Sequence, residues 1–231
     1  MPMGMLDLDN ETIQYTLKRR MRKSILIRVT PECKVEVLAP KRVSNSFIEG
    51  FLQSKTSWIK KSLDAKRAVL EKRAAYQLDS LMFLGKNYPV KPYSGQELIF
   101  DGSAFCLPHA EQECQRQMIQ RWYRAQGIDI LKKRVAYWAE IMHLQYQSVK
   151  LTDARTRWGS CSGKNNLNFS WRLLFASGKD IDSVVIHELA HTVFHDHSEN
   201  FWKIVYAYCP DYDVSRRQLK ELSEMLVIWG W

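Results

Sequence analysis

His187-Glu188-Leu189-Ala190-His191 decides the reading of this chain. At about 3.6 residues per helical turn, His187 and His191 share one face, a single turn apart. Two imidazoles so placed can grip one metal ion. Glu188 points about 100° around the axis from His187, close to the ion without being needed as a ligand. It is free to take a proton from a metal-bound water, as in a zinc hydrolase helix. A blander reading is a polar helix end whose histidines meet the last carbonyls. That accounts for His195 or His197, but not for a glutamate and two histidines in this order. Four of the six histidines fall between His187 and His197. On the same helical wheel Val185, Ile186, Leu189 and Val193 lie opposite the histidines, so one face is buried and the metal face turns to a cleft.

A catalytic zinc usually keeps three protein ligands and one open position. His195 would stand about 12 Å along a continuing helix from His187, at ~1.5 Å per residue, too far to share an ion. His197 follows His191 by six residues, the spacing of the third histidine in H-E-x-x-H-x-x-G-x-x-H. The glycine that turns the chain in that motif is Phe194 here, so the turn must be made differently. His195 and Asp196 tolerate turn conformations. Spacing favours His197 as third ligand, with Asp196, Glu199 and more distant acids as alternatives. His195 is then a residue of the cleft or of the framework.

Several further stretches stand out. They are Arg157-Trp158-Gly159-Ser160-Cys161-Ser162, Asn166-Leu167-Asn168-Phe169-Ser170-Trp171-Arg172-Leu173, and Asn200-Phe201-Trp202 after His197-Ser198. Earlier come Val37-Leu38-Ala39-Pro40 and Lys55-Thr56-Ser57-Trp58-Ile59. Together with the histidine motif, they closely resemble the YgjP-like metallopeptidase family over most of the chain. The resemblance implies a zincin-like core with His187, His191 and His197 holding Zn2+ and Glu188 as catalytic acid/base. It leaves the substrate open: proteolysis is inferred for the family by analogy, and some members are described as nucleoside triphosphate pyrophosphatases acting on UTP. Fold and metal motif can host both activities. A third reading is a non-catalytic interaction protein with a structural zinc. Three ligands plus Glu188 fit it less well, because structural sites are normally closed by four ligands.

The segment 157–162 has two readings. Gly159 and the small Ser160 let a backbone approach something closely. The segment then forms a wall of the cleft, with Arg157 or backbone N–H groups facing an oxyanion or phosphate. Alternatively it is a buried turn anchored by Trp158, with Arg157 holding an internal carboxylate. Cys161 is read as structural, and Phe201 and Trp202 as packing beneath the His197 loop.

A length of 231 residues with 45% hydrophobic content allows one large or two small domains with a substantial core. No apolar run approaches the ~18 residues that span a bilayer. The first ten residues carry Asp7 and Asp9 and lack the basic start of a signal peptide. Five scattered cysteines without a C-x-x-C point to free thiols and a cytoplasmic setting. Residues 1–75 hold 16 Lys/Arg against 8 Asp/Glu; the remainder holds 18 against 17. Lys18-Arg19-Arg20 with Arg22-Lys23 is the densest basic patch. It reads first as a solvated strand edge, and second as a footprint for nucleic acid, nucleotide or an acidic partner.

The expected fold class is α+β. Residues 14–19, 24–29 and 34–38 form a small antiparallel meander, followed by a helix over 45–76 capped by Ser44. Its apolar stripe includes Phe47, Phe51, Trp58 and Leu63. Two or three strands lie within residues 81–107, then a long helix over 111–144 with Gly127 as a candidate break. Strands at 149–151 and 167–174 flank the segment 157–162. A Ser177-x-x-Asp180 capping box opens the metal helix, and helices over 198–208 and 215–229 complete the chain. A boundary near residue 110 would separate a basic N-terminal region, 1–110, from a zincin-like core, 111–231, unless the two halves pack as one body.

Overall fold

The structure is a computed structural model and describes residues 3–8 and 11–231. Helices and small sheets alternate in an α+β arrangement. Two compact units divide between Tyr76 and Gln77. Among the described residues, no helix is long and apolar enough to cross a membrane.

The first unit opens with β1 (Met3–Leu8), β2 (Glu11–Arg20), β3 (Leu26–Val29) and β4 (Val35–Pro40), in the order β1-β2-β4-β3. The β1–β2 and β3–β4 pairs are antiparallel, but β2 and β4 run parallel, Leu17 opposite Val37. The expected antiparallel meander is therefore corrected to a mixed sheet. The chain leaving β2 passes over to the far side, forms β3 and returns between them as β4. Alternating residues Tyr15, Leu17, Val35, Val37 and Ala39 face the core.

Two helices contribute to that core, α1 (Asn45–Gln53) and α2 (Thr56–Ala75), rather than one. The break has a local cause. The Ser54 hydroxyl donates to the Phe51 carbonyl and that of Thr56 to the Gln53 carbonyl, side-chain bonds that compete with a continuing helix. Ser44 caps α1 as expected, accepting from the Phe47 N–H at 3.2 Å. The buried stripe is Ile48, Leu52, Ile59 and Leu63; Phe47 and Trp58 are exposed. Within the basic patch, Lys18 pairs with Glu36, and Arg19 donates to the Pro40 carbonyl and Asn45.

The second unit begins with β5 (Ser80–Phe83), β6 (Lys86–Tyr93), β7 (Ile99–Phe100) and β8 (Phe105–Pro108), in the order β5-β6-β8-β7. These strands share their core with the rest of this unit, so the division falls at residue 76 and not near 110. Leu81, Leu98, Phe105 and Leu107 are buried in one cluster with Ile119, Tyr123 and the metal-motif helix. The Tyr123 hydroxyl donates to the Met82 carbonyl at 2.6 Å, and its ring stacks on Phe175.

α3 (Gln112–Ile141) runs unbroken through Gly127. That glycine serves packing: a Cβ there would come within 3.0 Å of Leu174 and 3.3 Å of Leu151. Three strands follow, β9 (Ser148–Thr152), β10 (Gly159–Cys161) and β11 (Asn166–Ser170), with β11 central. β10 pairs antiparallel and β9 parallel to β11. The expected strand through Leu174 ends at Ser170. The Ser170 hydroxyl accepts from the Arg172 N–H and starts a buried 3-10 turn, Trp171–Phe175. Three helices close the unit, α4 (Gly178–Ala190), α5 (Glu199–Tyr208) and α6 (Tyr212–Trp229).

Candidate metal centre

α4 carries the motif and is anchored at both ends. At its start the Ser177 hydroxyl accepts from the Asp180 N–H at 3.2 Å and donates to the Asp180 carboxylate at 2.6 Å. Val185, Ile186 and Leu189 are buried at 0–1% exposure, which fixes the rotation that brings the histidines to the opposite side. Val193 is exposed, because the helix has ended by then.

The way it ends answers how a chain with Phe194 in place of glycine turns back. Nδ1 of His191 lies 2.9 Å from the Phe194 carbonyl, and the Thr192 hydroxyl donates to the Leu189 carbonyl. The Asn165 side chain donates to the Thr192 carbonyl. Asp196 then accepts from the Ser198 N–H at 3.2 Å, closing the turn into α5. A clamped turn of side-chain hydrogen bonds does what a glycine does elsewhere.

The result brings His187, His191 and His197 together, with candidate ligand atoms all within 4.8 Å of one another. Nε2 of His187 and Nε2 of His197 are 3.4 Å apart. Two nitrogens bound tetrahedrally at ~2.05 Å would be about 3.3 Å apart, so the spacing suits ligands of one ion. His195 is exposed and lies outside this group. Phe201 is fully buried beneath all three imidazoles, and Trp202 stacks on His197.

Hydrogen bonds hold the outer nitrogens of two of the rings. Nδ1 of His191 is taken by the Phe194 carbonyl, and Nδ1 of His187 lies 2.9 Å from the Tyr212 hydroxyl. The carbonyl puts the His191 proton on Nδ1 and leaves its Nε2 lone pair to the cluster; a His187 ring donating Nδ1–H to the Tyr212 oxygen presents its Nε2 in the same way. Burial, then the neighbouring His191, His197 and Arg216, pushes His187 down to about 3. Burial also lowers His191. Both rings are therefore held in the neutral form that ligates a metal.

Glu188 is 5% exposed. Burial drives its carboxyl up to about 8, opposed by the Arg157 charge and a backbone hydrogen bond from Cys161. Its Oε2 is buried without a hydrogen-bond partner. Gly159 supplies the room: a Cβ there would lie 2.6 Å from Glu188 Oε1 and 2.7 Å from its Cγ. The close approach expected at Gly159 is thus an approach to Glu188. The expected turn 157–162 contains a short edge strand, β10. Cys161 is not an activated thiol. Burial and the Glu188 charge raise it to about 11.

A cleft of about 320 Å³ opens beside Glu188 and His187, with Arg157, Trp158, Tyr212 and Arg216 among its walls. Arg157 is exposed at this cleft. Tyr212 and Arg216 come from α6 and escaped the reading of the sequence. Their one signal was a polar row at i, i+4 spacing on a helix expected to start only at residue 215.

A donor set of three imidazoles beside a buried, unpartnered carboxylate oxygen fits a borderline-soft cation such as zinc. A family model described as YgjP-like, metallopeptidase domain matches residues 23–222. No curated protein matches the chain, and no solved structure does. Sharing that match over most of its length, the chain belongs to the YgjP-like metallopeptidase domain family.

Proposed function

We propose that this chain is a zinc-dependent peptidase in which Glu188 is the general base and acid. One observation carries the reading: a buried carboxylate with a free oxygen stands beside three converging imidazoles at the wall of a cleft. His187, His191 and His197 would hold the ion. Zinc, when bound, supplies a Lewis acid and lowers the pKa of a coordinated water to near ~7.

With a cation held beside it, Glu188 favours its ionised form over the protonated form of the metal-free site, and Oε2 is then placed to accept a proton from the attacking water. The same carboxyl returns the proton to the leaving amine as the C–N bond breaks. Arg157, whose charge already acts on Glu188, faces the negative charge that develops on the carbonyl oxygen.

Strand β10 supports a peptide substrate. The Ser170 N–H donates to the Trp158 carbonyl and the Ser162 N–H to the Asn166 carbonyl. In an antiparallel ladder the alternate residues, Gly159 and Cys161, turn their backbone groups the other way. The Cys161 N–H goes to Glu188. Among the described residues β10 is an edge strand, so the Gly159 N–H and carbonyl and the Cys161 carbonyl face outward, where an extended chain can pair. The nucleotide pyrophosphatase reading has less support, since a hard ion bridging phosphates takes oxygen donors and the clustered donors here are nitrogens.

The deciding experiment quantifies bound metal, then assays the protein on a peptide library and a nucleoside triphosphate panel, with Glu188→Gln as control. Peptide hydrolysis lost in the variant with zinc retained is expected. Pyrophosphate release without peptide cleavage would overturn the peptidase reading.

A further inference from the structure

The cleft beside Glu188 carries two cations, Arg216 and Lys220, beyond the Arg157 that the hydrolytic step uses. Arg157, Arg216 and Lys220 all line it, and among the described residues none of the three has an ion-pair partner. Arg216 and Lys220 stand one turn apart on α6, on the row begun by Tyr212. The one carboxylate in the wall is Glu188, which is buried and bonded to the Cys161 N–H. General basicity does not account for three cations here, because residues 76–231 hold 18 Lys/Arg against 17 Asp/Glu. Apolar side chains, Val184 and Leu219, line the same cleft with His187.

We propose that this cleft is an acid-recognising subsite, in which Arg216 and Lys220, with the field of Arg157 beside them, receive the side-chain carboxylate of a glutamyl residue flanking the scissile bond. The inference rests on the peptidase reading and names the substrate class that it takes. The methylenes of the glutamyl side chain lie along Val184 and Leu219, and its carboxylate reaches Arg216 and Lys220. Three cations around one small cleft attract a carboxylate and reject a lysine or arginine at the same position, so the specificity has an attractive and a repulsive part. Exposed cations act over a short range and are screened by salt. The preference therefore weakens as ionic strength rises.

The test uses the zinc-loaded full chain carrying Glu188→Gln, so that peptides bind without turnover. Fluorescence anisotropy is read with labelled alanine hexapeptides bearing one Glu or one Gln, scanned through each position. At one position the Glu peptide is expected to bind about tenfold more tightly than its Gln partner, in line with two or three partly exposed charge pairs. Adding Arg216→Ala and Lys220→Ala should abolish that difference and leave the Gln peptide's affinity and the zinc content unchanged. Equal binding of the two peptides throughout, or a Glu preference that survives the double substitution, would overturn the subsite. So would inorganic tripolyphosphate binding more tightly than the Glu peptide through the same two residues, which would assign the cleft to phosphate. The two readings fail separately. Arg216-dependent Glu binding without peptide hydrolysis by the unsubstituted protein removes the peptidase and keeps the subsite; hydrolysis without Glu preference does the reverse.

Discussion

The hydroxyl of Tyr212 lies 2.9 Å from Nδ1 of His187. A side chain at the start of α6 thus orients the first histidine of the motif on α4. Removing the hydroxyl leaves the ring of His187 free to rotate and its tautomer unset. Outer partners of this kind are typically worth about 10- to 100-fold in metal affinity. Tyr212→Phe is expected to weaken zinc binding by that order with little change in fold, read by competition with a chromophoric chelator. Unchanged affinity would show that Phe201 packing alone positions the ring.

His197 reaches the cluster through the clamped turn, whereas His195 is exposed outside it. His197→Ala should therefore cut zinc stoichiometry sharply, and His195→Ala should leave it near that of the unsubstituted protein. Metal analysis after dialysis checks both. The opposite ranking would move the third ligand.

Gly159→Ala places a methyl group 2.6 Å from Glu188 Oε1. The carboxylate is buried, so it cannot swing into solvent without disturbing its surroundings. Turnover is expected to fall by about 100-fold or more, the scale on which general acid–base groups contribute, while bound zinc stays unchanged. Retained activity would mean that Glu188 works equally well from a displaced position.

In metal-free protein, Glu188 and His187 pull stability in opposite directions with pH. Glu188 keeps its proton to about pH 8 when folded but releases it near 4.5 when unfolded. Stability from this group is present below 4.5 and is lost as pH rises toward 8. His187 titrates near 3 folded and 6.5 unfolded, so its contribution is lost as pH falls below 6.5. Above pH 6.5 only the Glu188 contribution still changes, by ~1.4 kcal/mol per pH unit. Urea denaturation of the metal-free protein should show about 2 kcal/mol lost between pH 6.5 and 8, absent in Glu188→Gln. Equal pH slopes in the two proteins would contradict the buried, protonated state.

The metal motif was legible without coordinates because helix geometry is local. Backbone hydrogen bonds alone put His187 and His191 on one face and Val185, Ile186 and Leu189 on the other. Spacing also brought out His197, and glycine chemistry pointed to a close approach at residue 159. The parallel pairing of β2 with β4 had no such signature, since alternating strands look the same whichever neighbour they choose. The break between α1 and α2 was hidden for another reason: hydroxyls at 54 and 56 bond to carbonyls three residues back, and composition does not reveal that choice. What Gly159 approaches, which hydroxyl holds His187, and that Arg157 meets Arg216 and Lys220 across one cleft were decided by tertiary packing. Those partners lie 25 to 63 residues apart in the chain, and only burial of a shared core brings their elements together.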